Sequence, residues 1–174
     1  MVGPKIKPDL NPGDFHLVVN EESERIKCFN HEGEERWTNP LPALARGVGG
    51  SYNLPGGNTP PGLYELGTLY ISKAWESYWK VWAPYGEYCY DMRELENQEN
   101  VRGRAGIALH GGGSAAPDPL APMQVLLPTH GCVRMHNLHI RQFILPLTHY
   151  RWPANKFGLL LRRKNRVYIS VWQR

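Results

Sequence analysis

Cysteine is scarce in this 174-residue chain, which has three: Cys28, Cys89 and Cys132. An odd count leaves at least one thiol unpaired, which excludes a disulfide-stapled scaffold. Cys28 and Cys89 could pair if Cys132 is set aside, but nothing in the sequence requires it. Long apolar runs are missing too, and none approaches the ~20 residues a membrane-spanning helix needs, so no span is expected. The N-terminal stretch from Met1 to Gly13 has no apolar h-region and no small-residue cleavage site, so no signal peptide is visible. There is no internal repeat and no low-complexity tract. Charge of one sign is modest: a net +4 suits a polyanionic surface but is too small to argue for nucleic acid.

What remains is an ordinary soluble composition, 41% hydrophobic and 21% charged, long enough for one domain with a real core. Residues 1–13, rich in Pro and Lys, read as a flexible arm, and 14–174 as a single domain. Phe15–Val19 and Arg25–Phe29 read as strands joined by a turn at Asn20–Ser23, with a third strand at Glu35–Thr38, a β-meander. Residues 39–62 are dense in Pro and Gly, and no regular structure is expected there. Within them, Ala45–Gly50 is either a plain loop or a place where backbone approaches a ligand. Leu63–Tyr70 alternates as a strand does. The aromatic cluster of Trp75, Tyr78, Trp79, Trp82, Tyr85, Tyr88 and Tyr90 is read as core and cross-strand pairs rather than a sugar-stacking platform. Asp91–Arg104 reads as a solvated loop or short helix.

From Leu138 the apolar spacing becomes helical, with Asn137 as N-cap and Pro146 as the stop or kink. Phe157–Arg162 and Val167–Trp172 read as a hairpin turning near Lys164-Asn165. Several short strands with one helix argue a mostly-β sandwich or barrel.

The chemistry concentrates between Ile107 and Asn137. Ile107-Ala108-Leu109-His110-Gly111 delivers a histidine onto a glycine turn. Thr129-His130-Gly131-Cys132-Val133-Arg134 sets a thiol between a histidine and an arginine. A cysteine near neutral pH needs a base or positive neighbours to become a thiolate, and both are at hand. In extended backbone His130, Cys132 and Arg134 share a face. The intervening loop, Gly112–Pro122, is stiffened by prolines and starts on glycines that could hinge, so it is expected to act as a lid or as a plain insertion, with Asp118 a possible contact for an incoming amine.

Leu109-His110-Gly111 together with Thr129-His130-Gly131-Cys132-Val133-Arg134-Met135 resembles the active-site motif of the YkuD-type L,D-transpeptidases. Asn58-Thr59-Pro60-Pro61-Gly62 resembles that family's Thr-Pro-x-Gly turn. At the level of pattern the resemblance covers Asp14 to Leu147. His110 and Cys132 lie 22 positions apart, longer than the family pattern, and Thr129 stands where Ser is commoner.

The resemblance implies a β-sandwich or barrel-like catalytic domain with one short helix after the cysteine. It implies an acyltransferase of peptidoglycan stem peptides working through a thioester on Cys132, without cofactor or metal, as a monomer in the cell envelope. With no signal peptide in view, a mature domain or a dedicated export route is expected. His110 becomes the general base and His130 lines the site. Backbone N–H groups at Gly131 and Cys132 become the oxyanion hole. Arg134 becomes a carboxylate clamp, and Thr129 and Gly111 join it as substrate-binding residues.

Water in place of an amine acceptor would make the same site an L,D-carboxypeptidase or a wall-degrading effector. A reading from another class takes His130, Cys132, His136 and His139 as a metal site in a binding module, although the change from strand to helix between Cys132 and His136 works against their convergence. Otherwise His136 and His139 take surface or supporting roles.

Overall fold

A computed structural model of the chain describes residues 1–71, 82–96, 104, 106–151 and 161–174. Its strands are β1 (Phe15–Asn20), β2 (Arg25–Asn30), β3 (Leu41–Leu44), β4 (Gly62–Ile71), β5 (Tyr88–Glu94), β6 (Ala108–His110), β7 (Val133–Met135), β8 (His149–Arg151), β9 (Leu161–Arg163) and β10 (Val167–Trp172). A single turn, α1 (Trp82–Tyr85), precedes β5, and a longer helical segment, α2 (137–148), follows β7. Eight of the strands close into a barrel in the order β1-β10-β4-β5-β6-β7-β3-β2, while β8 and β9 form a separate pair.

Period-2 patterning explains the wall. In β1 and β2 the inward residues Leu17, Val19, Ile26 and Cys28 are fully buried, and the register sets Leu17 against Cys28 and Val19 against Ile26. The same alternation runs through Tyr88, Tyr90 and Met92 of β5. Ile140, Ile144 and Leu145 of α2 join this one core cluster. Each such side chain contributes roughly 1.5–3 kcal/mol on full burial.

Several expectations need correction. Glu35–Thr38 is not the third strand: only Glu35 bridges, to Phe29. The third strand is Leu41–Leu44, inside the stretch expected to be irregular. Its Ala43 and Leu44 are buried and pair with Met135 and Arg134 of β7, a burial that charged Glu35 and Arg36 could not supply. Asp91–Glu94 belong to β5 rather than to a solvated loop, because the inward alternation of Tyr90 and Met92 carries through them.

The tail is not a simple hairpin. Leu161–Arg163 pairs with His149–Arg151, and β10 instead runs parallel to β1 and antiparallel to β4. Five successive buried residues, Val167–Val171, suit an interior strand better than an edge. Arg163 reaches back to β4, donating to the Glu65 carboxylate at 2.8 Å, where Arg93 also docks. The 152–160 part of the predicted hairpin lies outside the described residues.

In α2 the cap is His136, with no side-chain capping bond, and Asn137 is already helical. Pro146 neither ends nor breaks the segment. A π turn at Ile140–Ile144 precedes it, and it falls in the first turn of the closing Leu145–Thr148 helix, where a missing N–H costs least. The 1–13 arm is tied down as well. Val2 and Gln173 exchange backbone hydrogen bonds of 2.8 Å, and the N–H groups of Lys5 and Ile6 donate to Glu96. All three cysteines are free. Tyr88 and Tyr90 are core residues, as read. Trp75, Tyr78 and Trp79 lie outside the described residues. Among the described residues no helix is long and apolar enough to cross a membrane.

Candidate active site

The site lies where β6 and β7 run side by side and parallel, with Leu109 opposite Val133 and His110 opposite Arg134. Leu109 and Val133 turn into the core, so His110 and Arg134 project from the other face. Cys132 precedes Arg134 by two positions and shares that face. His110, Cys132, Arg134, His130 and Thr129 all line one cavity of about 300 Å³, together with Val48, Tyr85 and Ser114. Two chain segments far apart in sequence thus bring the predicted base and thiol into one cavity.

His110 is 2% exposed, and Tyr85 packs edge-on against it with ring centroids 4.9 Å apart. Its Nδ1 lies 2.7 Å from the carbonyl oxygen of Gly111. A carbonyl only accepts, so Nδ1 carries the proton and Nε2 is left as the basic nitrogen. Burial, reinforced by the charge of Arg134, pushes the imidazole down to about 3 despite the bond to Gly111. Burial also pushes the Cys132 thiol up, opposed by the amide of Ala108 and the charges of Arg134 and Arg104. The thiol donates to the carbonyl of Gly106 at 3.5 Å. The pair therefore rests as neutral thiol and neutral imidazole.

Thr129 has a different role from the predicted one. Its Oγ1 accepts from the N–H of Gly131 at 3.1 Å and of Cys132 at 2.8 Å, and donates to the carbonyl of Cys132 at 2.8 Å. A hydroxyl has one proton and two lone pairs, so nothing is left for a substrate. Thr129 is 3% exposed and ties the turn that bears the thiol. The same bonds occupy the two amides expected to form the oxyanion hole. Gly111 is likewise structural: its N–H donates to Tyr85, its carbonyl orients His110, and a Cβ there would overlap the Asn137 amide.

Arg134 is 7% exposed, its Nη1 donates to Leu127 O at 2.6 Å, and its buried Nε has no partner. The residue lines the cavity. His130 is exposed at the mouth. Among the described residues no group of three or more His, Cys, Asp or Glu could hold a metal, so His130, Cys132, His136 and His139 do not form the alternative metal site. His136 is held by Gln124 O at 2.9 Å and stacks edge-on with His139.

The loop between the His110 and Cys132 segments is pinned rather than hinged. The N–H groups of Gly111 and Gly113 donate to Tyr85 and Ala83, and that of Gly112 to Asn137 Oδ1. Asn137 Nδ2 donates to Pro119 O and Ala121 O, while Gln124 Nε2 donates to Gly112 O and Met135 O. Ser114 and Ala115 line the cavity, but Asp118 is exposed and its carboxylate accepts from Leu120 N–H, away from the thiol.

Four contributors escaped the sequence: Tyr85, Arg104, Gln124 and Asn137. Gln124 carried the clearest signal, a lone polar residue in an otherwise apolar run that turns out 2% exposed.

The YkuD family model, described as the L,D-transpeptidase catalytic domain, matches residues 14–145. The chain belongs to this family. The barrel is similar to Pgp2, a helical cell shape determining protein from Campylobacter jejuni, at 18% identity and TM-score 0.54, covering 90% of this chain and 46% of that one. It is also similar to Bd1075 from Bdellovibrio bacteriovorus, at 17% identity and TM-score 0.50, covering 89% of this chain and 49% of that one. These likenesses bear on the fold, and the chain spans about half the length of those proteins. A comparison with curated proteins found no match. The matched YkuD segment contains His110, Cys132 and Arg134, and ends within α2.

Proposed function

We propose that this chain is a cysteine acyltransferase of peptidoglycan stem peptides, acting in the cell envelope as a monomer. The observation that carries the reading is that Cys132 and a buried histidine of fixed tautomer line one cavity. Nδ1–H of His110 is held by Gly111 O, so Nε2 is free to take the thiol proton at the shared cavity.

In the first half-reaction the thiol gives its proton to Nε2 as Sγ attacks the carbonyl of the residue before a terminal D-alanine. The C–N bond breaks, His110 returns the proton to the leaving amine, and a thioester remains on Cys132. An amine from a second stem peptide, or a free D-amino acid, then displaces the thiol. Arg134, which lines the cavity, binds a donor carboxylate through its guanidinium charge. The cavity residues include no Asp or Glu, which suits an anionic donor.

Mass spectrometry of products tests this after incubation with disaccharide-tetrapeptide, with and without D-methionine. Exchange of the terminal D-alanine for D-methionine is expected. Disaccharide-tripeptide alone would assign an L,D-carboxypeptidase, and unchanged substrate with a reactive thiol would reject both.

A further inference from the structure

Arg104 stands at the end of a charged stretch and lies directly over the turn that carries the nucleophile. Its Nη1 donates to the carbonyls of Tyr52 and Asn58, each at 3.0 Å. Its Nη2 donates to Gly57 O at 3.3 Å and to His130 O at 3.2 Å. One planar fork therefore joins three carbonyls of the 47–58 loop to one of the catalytic turn. A compact ammonium cannot match that geometry.

The turn is fitted to this guanidinium. Gly131 has φ +119°, where only glycine is comfortable, and a Cβ there would overlap Arg104 Nη2. The peptide joining His130 to Gly131 is gripped at both ends, its carbonyl by Arg104 and its N–H by Thr129 Oγ1. The 47–58 loop is itself close-packed: a Cβ on Gly47 would overlap Gly57 O, and one on Gly57 would overlap Ser51 O. That loop is attached to the turn a second time through Val48 N–H to Thr129 O, at 2.9 Å. Val48 lines the cavity.

We propose that Arg104 is a positioning residue for the thiol: its fork staples the 47–58 loop to the Cys132 turn and sets a positive charge beside the nucleophile. Among the described residues its hydrogen bonds all go to backbone carbonyls, and no carboxylate there pairs with its charge. It acts with Arg134 in favour of the thiolate, against the burial that disfavours it. The proposal rests on Cys132 as the nucleophile, but thiol reactivity can be read without any peptidoglycan substrate.

The test compares wild type, Arg104→Gln and Arg104→Lys by the pH dependence of Cys132 alkylation with iodoacetamide, followed by mass spectrometry, alongside turnover of disaccharide-tetrapeptide. Loss of the charge in Arg104→Gln should shift the alkylation profile to higher pH and slow the reaction at pH 7 by roughly three- to tenfold. Arg104→Lys should keep the wild-type profile yet lose turnover, because the charge stays and the fork goes. A profile for Arg104→Gln that overlays wild type would overturn the electrostatic half, and wild-type turnover in Arg104→Lys would overturn the staple. If Arg104→Gln does not fold, Arg104→Met, which also removes the charge, takes its place on the same reading. Absence of turnover in wild type with these alkylation shifts intact would instead count against the peptidoglycan reading.

Discussion

Replacing Thr129 by valine separates a residue that organises the turn from one that touches substrate. Valine keeps the shape and removes the hydroxyl. The N–H groups of Gly131 and Cys132 lose their acceptor, and the carbonyl of Cys132 loses its donor. The side chain is 3% exposed, so water cannot readily replace the hydroxyl. At roughly 0.5–1.5 kcal/mol net per bond, three bonds sum to about 1.5–4.5 kcal/mol. Thr129→Ser keeps the hydroxyl and loses one methyl, costing about 1 kcal/mol. Urea unfolding at fixed m gives both values, and iodoacetamide labelling of the folded proteins reports whether the thiol is still presented. The expected result is a large loss of stability with slowed labelling in Thr129→Val, and near wild-type behaviour in Thr129→Ser. Stability within about 0.5 kcal/mol of wild type in Thr129→Val, with only KM raised, would refute the reasoning and return Thr129 to substrate binding.

Cys132→Ala should abolish turnover and leave the fold intact, whereas Cys89→Ala and Cys28→Ala should keep most activity, Cys28→Ala with some loss of stability from the core; a carbapenem should leave a covalent mass adduct on wild type that Cys132→Ala lacks. Stability should fall on acidification. His110 and His16 titrate in the folded chain near 3 and 4, below their ordinary 6.5, so the unfolded chain binds more protons between those values. Their contribution is full above pH 6.5 and is lost as pH falls, on the order of 5 kcal/mol for His110, and a plot of unfolding free energy against pH should show uptake approaching two protons near pH 5 from this pair. Shortening Ser114–Ala121 to Gly-Ser should change the ratio of hydrolysis to D-amino-acid exchange, read by product mass, because Ser114 and Ala115 line the cavity; an unchanged ratio would make the loop a passive insertion.

Local pattern told most where the partner of each residue did not matter. The alternation of Leu17, Val19, Ile26 and Cys28 marks strands wherever those strands pair, and so it was legible. That Cys132 and His110 would share one cavity was legible because a Cys with flanking His and Arg, and a His on an apolar run, are unusual in combination. What stayed hidden depends on long-range placement. Nothing near Val167–Val171 says that the strand runs parallel to β1, and nothing near Leu41–Leu44 says that β7 will cover it. Asn137 looked like a helix cap because Asn often is one, but its amide is occupied by Gly112 N–H, Pro119 O and Ala121 O, which lie 16 to 25 positions away. Arg104 sat among charges that read as solvated, and its carbonyl partners lie 26 to 52 positions away.

The charge state of the pair follows from the same long-range packing. Closing the barrel sets β6 and β7 side by side, and Tyr85 covers the imidazole that β6 delivers. Covered, His110 loses its proton to water at any pH much above 3, so a base is available throughout the neutral range. The cost falls on the thiol, which the same burial holds in its protonated form. Arg134 cuts both ways: its charge opposes the imidazolium and favours the thiolate. A standing ion pair between the two is therefore disfavoured on the histidine side, and in the proposed reaction the proton has to move as the sulfur attacks. Such a step demands that the thiol, the imidazole and the scissile carbonyl be held in register before reaction. That requirement would account for a proposed nucleophile whose turn is tied by Thr129, gripped by Arg104 and continuous with β7, and for a proposed base locked by its own neighbour's carbonyl.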